Sequence, residues 1–409
     1  MERIDKEVKA SIVNGGPLNL DQNFKLINSE SVDDQIKGVR HFRRVLSIEN
    51  NPPIDEVLKY QSLISKLISF LTVKNNELQF ETAWALTNIA SGTTSQCQKI
   101  VDSGALPVLI SILSDESTES NLAEQVVWCL GNVAGDSVQS RDVCLSLGAL
   151  QPLITAVATY SEKESVLRQV AWTLSNLVRG KPKPDFESIK GAIPALFSLI
   201  KSNNVETKTD ACWAFSYLLD GPNSHIQEVL ASGVAPILVD LINQDSNSSF
   251  VTPALRAAGN VVTGDDQQTQ IMIDLNILPL LLRLLSHPKR NIRKEAMWTI
   301  SNITAGTPAQ IDSVVQCPGM VEKVCEMLES SDFDIQREAA WVVSNSTSGG
   351  NPEQLLNSLS IAVGPLCSVL HSSDVKVISV VLEGNTNTNT NTNTNTNTNT
   401  NNRKALRTF

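Results

Sequence analysis

Aromatic rings, cysteines, histidines and long apolar runs are all scarce in this 409-residue chain, and each shortage excludes something. Aromatic residues make up 5% of it, with only six tryptophans and three tyrosines. Seven cysteines, at positions 97, 129, 144, 212, 317, 325 and 367, contain no C-x-x-C pair. With only four histidines beside them, at 41, 225, 287 and 371, no zinc or other metal constellation is expected. The odd cysteine number fits a reducing compartment rather than a disulfide framework. No run of 18 apolar residues occurs and the N-terminus is polar, so neither a membrane span nor a signal peptide is expected. Gly-rich phosphate loops and nucleophile–base signatures are also missing, which argues against an enzyme and against any cofactor. The net charge of −10 and pI near 5.0 disfavour a nucleic-acid surface and favour a basic partner.

What is present is periodic. Every tryptophan stands four residues before a side chain that can hydrogen-bond: Trp84/Asn88, Trp128/Asn132, Trp172/Asn176, Trp213/Tyr217, Trp298/Asn302 and Trp341/Asn345. The spacings are 44, 44 and 41 residues, then 85, then 43, and Arg256/Asn260 fills the double gap in the same frame. Residues at i and i+4 share one face of a helix. A period near 43 makes that helix recur along a stacked array.

A second marker runs beside the first: Gly104-Ala-Leu-Pro107, Gly148-Ala-Leu-Gln-Pro152, Gly191-Ala-Ile-Pro194, Gly233-Val-Ala-Pro236, Asn276-Ile-Leu-Pro279 and Gly319-Met-Val. It reads as a helix ended by a residue that tolerates left-handed dihedrals, followed by a proline that opens the next helix. Each unit is then a short helix, a second helix and a long third helix. The expected fold class is all-α, a right-handed superhelical solenoid of about eight to nine armadillo repeats. In the first clear third helix, Ala83, Leu86 and Ala90 cluster on one side with Ile89 flanking, and Trp84, Asn88 and Ser91 lie opposite.

The flanks are weaker. Residues 1–20 form a short polar segment without net charge, 21–382 the solenoid, and 383–409 a low-complexity tail expected to be disordered. Within the solenoid, 22–70 reads as a first repeat without tryptophan. The tail holds eight Asn-Thr units from Asn385 to Thr400 and begins where Val375 to Leu382 should continue into a last third helix.

The stretch from about 75 to 382 resembles importin-α, the family of nuclear localisation signal receptors. The segments that carry the resemblance are Glu81-Thr-Ala-Trp-Ala-Leu-Thr-Asn-Ile-Ala-Ser-Gly92, Trp172-Thr-Leu-Ser-Asn176 and Trp298-Thr-Ile-Ser-Asn-Ile-Thr-Ala-Gly306, with Asp220-Gly-Pro-Asn223 and Thr252-Pro-Ala-Leu-Arg256. The resemblance implies a groove where indoles hold the aliphatic stems of peptide Lys and Arg. Asparagines would bond the peptide main chain, and acidic residues would demand positive charge. Spacing agrees with this: packed helices lie about 8–10 Å apart, or roughly three residues of extended chain. Lys and Arg stems stack on indoles, and cation–π attraction adds about 0.5–2 kcal/mol per contact.

Carried across residue by residue, the major site comprises Trp84, Asn88, Gly92, Cys97, Trp128, Asn132, Asp136, Trp172 and Asn176, with Asp136 holding the most discriminating lysine. The minor site comprises Asn260, Thr263, Glu295, Trp298, Ser301, Asn302, Glu338, Trp341 and Asn345. Between them stand Trp213, Tyr217 and Arg256, the last expected to repel lysine. Cys97 stands where the family usually has threonine, and Gln169 where it has asparagine. Nothing in residues 1–20 resembles the family's long basic importin-β-binding segment. The resemblance implies an import adaptor of cytoplasm and nucleus that binds basic signal peptides, with importin-β as a further partner and no direct contact with nucleic acid or membrane. The alternatives are a truncated paralogue that binds signals without carrying cargo, and a general armadillo interaction scaffold.

Overall fold

The repeating triplet of helices is visible directly in the computed structural model, which describes residues 18–244, 249–329, 332–350 and 360–369. Residues 1–17 of the polar segment 1–20, the stretch Val375 to Leu382 and the Asn-Thr tail lie outside the described residues. Every regular element among the described residues is a helix. The chain divides into two compact units, Met1–Ala214 and Phe215–Phe409.

The first unit opens with Leu20–Ile27 and Val32–Leu46. Three full triplets follow: Ile54–Leu58, Leu63–Leu71 and Asn76–Ala90; Thr94–Asp102, Ala105–Ser114 and Ser120–Asp136; Val138–Ser146, Leu150–Thr159 and Glu164–Val178. The Val205–Leu219 helix, in which the division falls, closes a fourth that starts at Phe186–Ile189 and Ile193–Leu199. The second unit contains Asn223–Leu230, Val234–Asn243 and Val251–Val261, then Asp266–Asp274, Ile277–Leu284 and Arg290–Ile303, then Pro308–Val315, Met320–Leu328 and Phe333–Gly349. Each unit is an all-α solenoid. One expectation is corrected: residues 22–70 are not one repeat. Val32–Leu46 is already a third helix, and 54–71 supplies the first two helices of the Trp84 repeat.

The glycine marker does what its residue type permits. Gly104 sits at φ 78° between its repeat's first and second helices, and Gly148, Gly233 and Gly319 repeat it. Asn276 takes the same left-handed position at φ 60°, as asparagine tolerates. Gly191 departs, because a 3₁₀ turn, Lys190–Ala192, joins the helices there. The following prolines fall inside the first turn rather than before it; Pro107 is the third residue of Ala105–Ser114. No N–H is lost there, since first-turn donors have no helical acceptor.

Third helices are sandwiched, so almost every face is apolar. In Asn76–Ala90, Ala83, Ala85, Leu86 and Ile89 are fully buried, while Trp84 and Asn88 are half-buried. Glutamines tie the first helices together. Gln96, Gln268 and Gln310 each complete an N-terminal capping box, and their Nε2 groups reach back one repeat to Asp55 Oδ1 (2.8 Å), Asn223 O (2.8 Å) and Asp266 O (2.7 Å).

Candidate functional site: a ladder of indoles and asparagines

Each of the six indoles is half-buried, with fully or nearly fully buried residues directly before and after it. A tryptophan serving only as core would be covered like its neighbours. These stay partly open at the same position of successive third helices within each unit. The asparagines of this frame also make hydrogen bonds within the chain. Asn132 Nδ2 donates to Thr87 O (3.1 Å), Asn176 to Gly131 O (3.1 Å), Asn260 to Ser216 O (2.8 Å) and Asn345 to Ser301 O (3.1 Å). In every case the acceptor is one residue before the equivalent position in the preceding third helix. Asn88 reaches Ser47 Oγ (2.8 Å) and Arg43 O (3.3 Å), whereas Asn302 bonds Trp298 O (3.0 Å) in its own helix. The amides therefore act as rungs that satisfy carbonyls between helices while holding each side chain in one orientation.

In the first unit the ladder closes around a cavity of about 240 Å³ lined by Ala90, Ser91, Gly92, Asn132, Gly135, Asp136, Trp172, Asn176 and Arg179. Asp136 is the last residue of its helix. Its Oδ2 is buried and has no hydrogen-bond partner. The nearby cation, Arg179, donates from Nη2 to Gly135 O (3.0 Å). A buried carboxylate oxygen without a partner carries a desolvation cost that only a donor or cation can offset. Cys97, fully buried, has its thiol pushed up to about 12 by burial and then by the charge of Asp136, so it adds no second negative charge.

The second unit repeats the theme. Arg256 pairs with Glu295 Oε1 and lies over the Trp298 ring, 5.3 Å from its centroid. Glu295 Oε2 is buried without a partner. Glu338 Oε2 accepts from Ser301 Oγ (2.9 Å), and Thr263 Oγ1 donates to Asn260 O (2.7 Å). Trp213 and Tyr217 are half-buried on either side of the division between the units.

The sequence model of the Armadillo/beta-catenin-like repeat matches residues 50–91, 93–135, 137–179, 190–220, 265–305 and 307–345, more than half of the chain. The chain belongs to the armadillo-repeat family. Within it, the resemblance to importin-α is borne out by curated relatives. Importin subunit alpha-1b of Oryza sativa subsp. japonica is 47% identical over 361 residues, 88% of this chain and 66% of that protein. Importin subunit alpha-4 of Arabidopsis thaliana is 46% identical over the same length and shares. Importin subunit alpha-1a of Oryza sativa subsp. japonica is 46% identical over 313 residues, 75% of this chain and 59% of that protein. The chain thus spans about 59–66% of the length of these relatives. A crystal structure of an engineered protein superposes with a TM-score of 0.78 at 24% identity, over 91% of this chain and 99% of that one, and supports the fold.

The armadillo frame also brings out a second polar series, of which the sequence reading singles out Gln169, Glu295 and Glu338 but not Glu81, Gln125 and Asp210. Three residues before each indole stands Glu81, Gln125, Gln169, Asp210, Glu295 or Glu338, on the same helix face. Arg43/Ser47 continues the Trp/Asn frame one repeat before Trp84; extending the count backwards by 41 residues would have found it. Asp210 is raised to about 6, by burial first and then by the charge of Glu206, with Arg168 opposing. A carboxyl raised in the fold stabilises it fully below the ordinary carboxylate value, and that contribution is lost as pH rises through about 6. Asp210→Asn is therefore expected to raise the thermal midpoint at pH 7.5 and to leave it unchanged at pH 4. Equal shifts at both pH values would contradict the burial-driven titration.

Proposed function

We propose that this chain is a receptor for lysine- and arginine-rich nuclear localisation signals, acting as an import adaptor of cytoplasm and nucleus. The observation that carries this reading is Asp136 Oδ2, buried and unpartnered beside Asn132, Trp172 and Asn176 in a cavity of about 240 Å³. A lysine ammonium supplies what that oxygen lacks: a charge and three donors on a slim apolar stem. The stem lies against the indoles, whose faces attract cations. At Asn132, Asn176 and Asn260 the rung is a single Nδ2 bond, and the amide retains further capacity for a peptide main chain. The residues from Trp84 to Asn176 then form the stronger cluster. Those from Asn260 to Asn345 form the second, around Glu295 and Glu338. Charge agrees, since a chain of net −10 favours a basic ligand. The relatives are named as alpha subunits of importin, and importin-β as a further partner follows from that family resemblance.

The test is fluorescence anisotropy with a labelled lysine-rich peptide. Direct binding that weakens as salt rises is expected, because several contacts are exposed charges. Equal binding by a peptide with every lysine replaced by alanine would overturn the receptor reading. A pull-down with importin-β separates an adaptor from a chain that binds signals without carrying cargo.

A further inference from the structure

The two arginines in the tryptophan frame, Arg43 and Arg256, occupy equivalent places and are held very differently. Each lies over the indole of the next third helix, and each pairs with the glutamate three residues before that indole. Arg43 stands 4.2 Å from the Trp84 centroid, with Nε and Nη2 on Glu81 Oε2 (2.8 Å) and Oε1 (3.2 Å). Arg40 Nε donates to Glu81 Oε1 as well (2.8 Å) and also contacts Glu77. Both oxygens of Glu81 are therefore taken, and the side chains of Arg43 and Glu81 are only 9% and 6% exposed. Burial pushes the Glu81 carboxyl up, but hydrogen bonds from Arg43 and then Arg40 outweigh it and hold it below the usual range. Arg256 is looser, with its side chain 45% exposed and its guanidinium 5.3 Å from the Trp298 centroid. Glu295 keeps one oxygen, Oε2, buried and unpartnered.

Arg43 thus reproduces, from within the chain, every contact that a ligand cation would make on an indole. It has a planar cation on the ring face, a carboxylate behind it and a stem in the frame of the ladder. A buried, fully paired cation is not displaced cheaply, because its removal leaves the glutamate charged and alone.

We propose that Arg43 is the chain's own occupant of the ladder: it closes the Trp84 face turned toward Val32–Leu46 and fixes where the first cluster stops reading basic side chains. This rests on the receptor reading above. It makes Arg43 a determinant of how long a basic run the first cluster distinguishes, a role separate from the affinity set at Asp136. Loss of Arg43 would leave Glu81 with Oε1 held by Arg40 and Oε2 unpartnered, the arrangement that Glu295 already has beside Arg256.

The experiment uses the full chain and a lysine-rich core peptide extended at one end or the other by Lys-Lys or by Ala-Ala. Alternate residues of an extended peptide face the same way, so a two-residue extension always presents one side chain to the groove. In the unaltered chain, Lys-Lys and Ala-Ala extensions are expected to differ in Kd by less than about twofold at high salt, where general attraction is screened. In Arg43→Ala the Lys-Lys extension is expected to gain about tenfold at one end only, the size of a desolvated cation–π and ion-pair contact. Arg43→Lys, which restores a cation over the ring, is expected to abolish the gain. A circular-dichroism melt accompanies each chain; if Arg43→Ala unfolds below the assay temperature, Arg43→Gln takes its place. A tenfold Lys-Lys preference already present in the unaltered chain, or no end-specific gain in the folded variant, overturns the proposal. Failure of the core peptide to bind the unaltered chain overturns the receptor reading instead, so the two outcomes are distinguishable.

Discussion

Asp136→Ala is expected to weaken binding of a lysine-rich peptide by roughly 2–4 kcal/mol, about 30- to 1,000-fold in Kd. The magnitude follows from truncating one partner of a charge pair in a partly desolvated cavity. Asp136→Lys is expected to cost more, because it places a like charge where the ligand cation would lie. Neither change should lower stability. Oδ2 makes no hydrogen bond within the chain, so its removal relieves a desolvation cost without breaking a contact. The thermal midpoint should therefore hold or rise while affinity falls. Anisotropy and circular-dichroism melts on the same samples read both quantities. Unchanged affinity in Asp136→Lys with an unshifted midpoint would mean that the strong site lies elsewhere.

Gly131→Ala should be harmful in the opposite way, through packing rather than charge. A glycine inside a helix costs about 1 kcal/mol relative to alanine, so the substitution alone would be favourable. A Cβ at Gly131, however, would lie 2.4 Å from Trp172 Cζ3 and 2.5 Å from Thr173 Oγ1. Gly259 is built the same way, with Trp298 Cζ3 at 2.5 Å and Thr299 Oγ1 at 2.9 Å. Each glycine is the seat on which the next repeat's indole rests. Overpacking of this kind costs about 1–3 kcal/mol. Because the displaced ring is Trp172, peptide affinity should fall along with the melting temperature. Gly191→Ala is the control, since its nearest neighbour would be 3.8 Å away and its backbone is not left-handed. If Gly131→Ala melts and binds like that control, the seat does not position the ring.

The two periodic markers of the sequence made the helical triplet and its repeat length legible, because both depend on local chemistry. A left-handed turn selects glycine or asparagine, and a 3.6-residue helix puts Trp and Asn on one face. The half-open indoles were legible for the same reason. The asparagine rungs were not. Asn132 donates to Thr87 O, 45 residues away, and a backbone acceptor leaves no trace in residue identity. Glu81 escaped notice because its meaning depends on Arg43 and Arg40 in the preceding third helix, a pairing that only packing reveals. Residues 22–70 do not form one repeat, because the tryptophans do not mark the first third helix. The repeat frame runs through Arg43/Ser47, where the indole is replaced.

The rung geometry also governs how this chain can gain or lose length. Half of each binding position belongs to one repeat and half to the next: Asn176 is tied to Gly131 O, and the Trp172 ring stands on Gly131. A repeat is therefore not a self-contained cassette. A cut made in the turns between triplets parts amides such as those of Asn132, Asn176 and Asn345 from their acceptors, and the rings of Trp172 and Trp298 from their seats. A cut made at the same point of two third helices, such as after Asn88 and after Asn132, removes one whole period and rejoins matching halves. Insertions and deletions that preserve function should accordingly come in complete periods, with their junctions hidden inside helices rather than in the loops where length changes are usually absorbed.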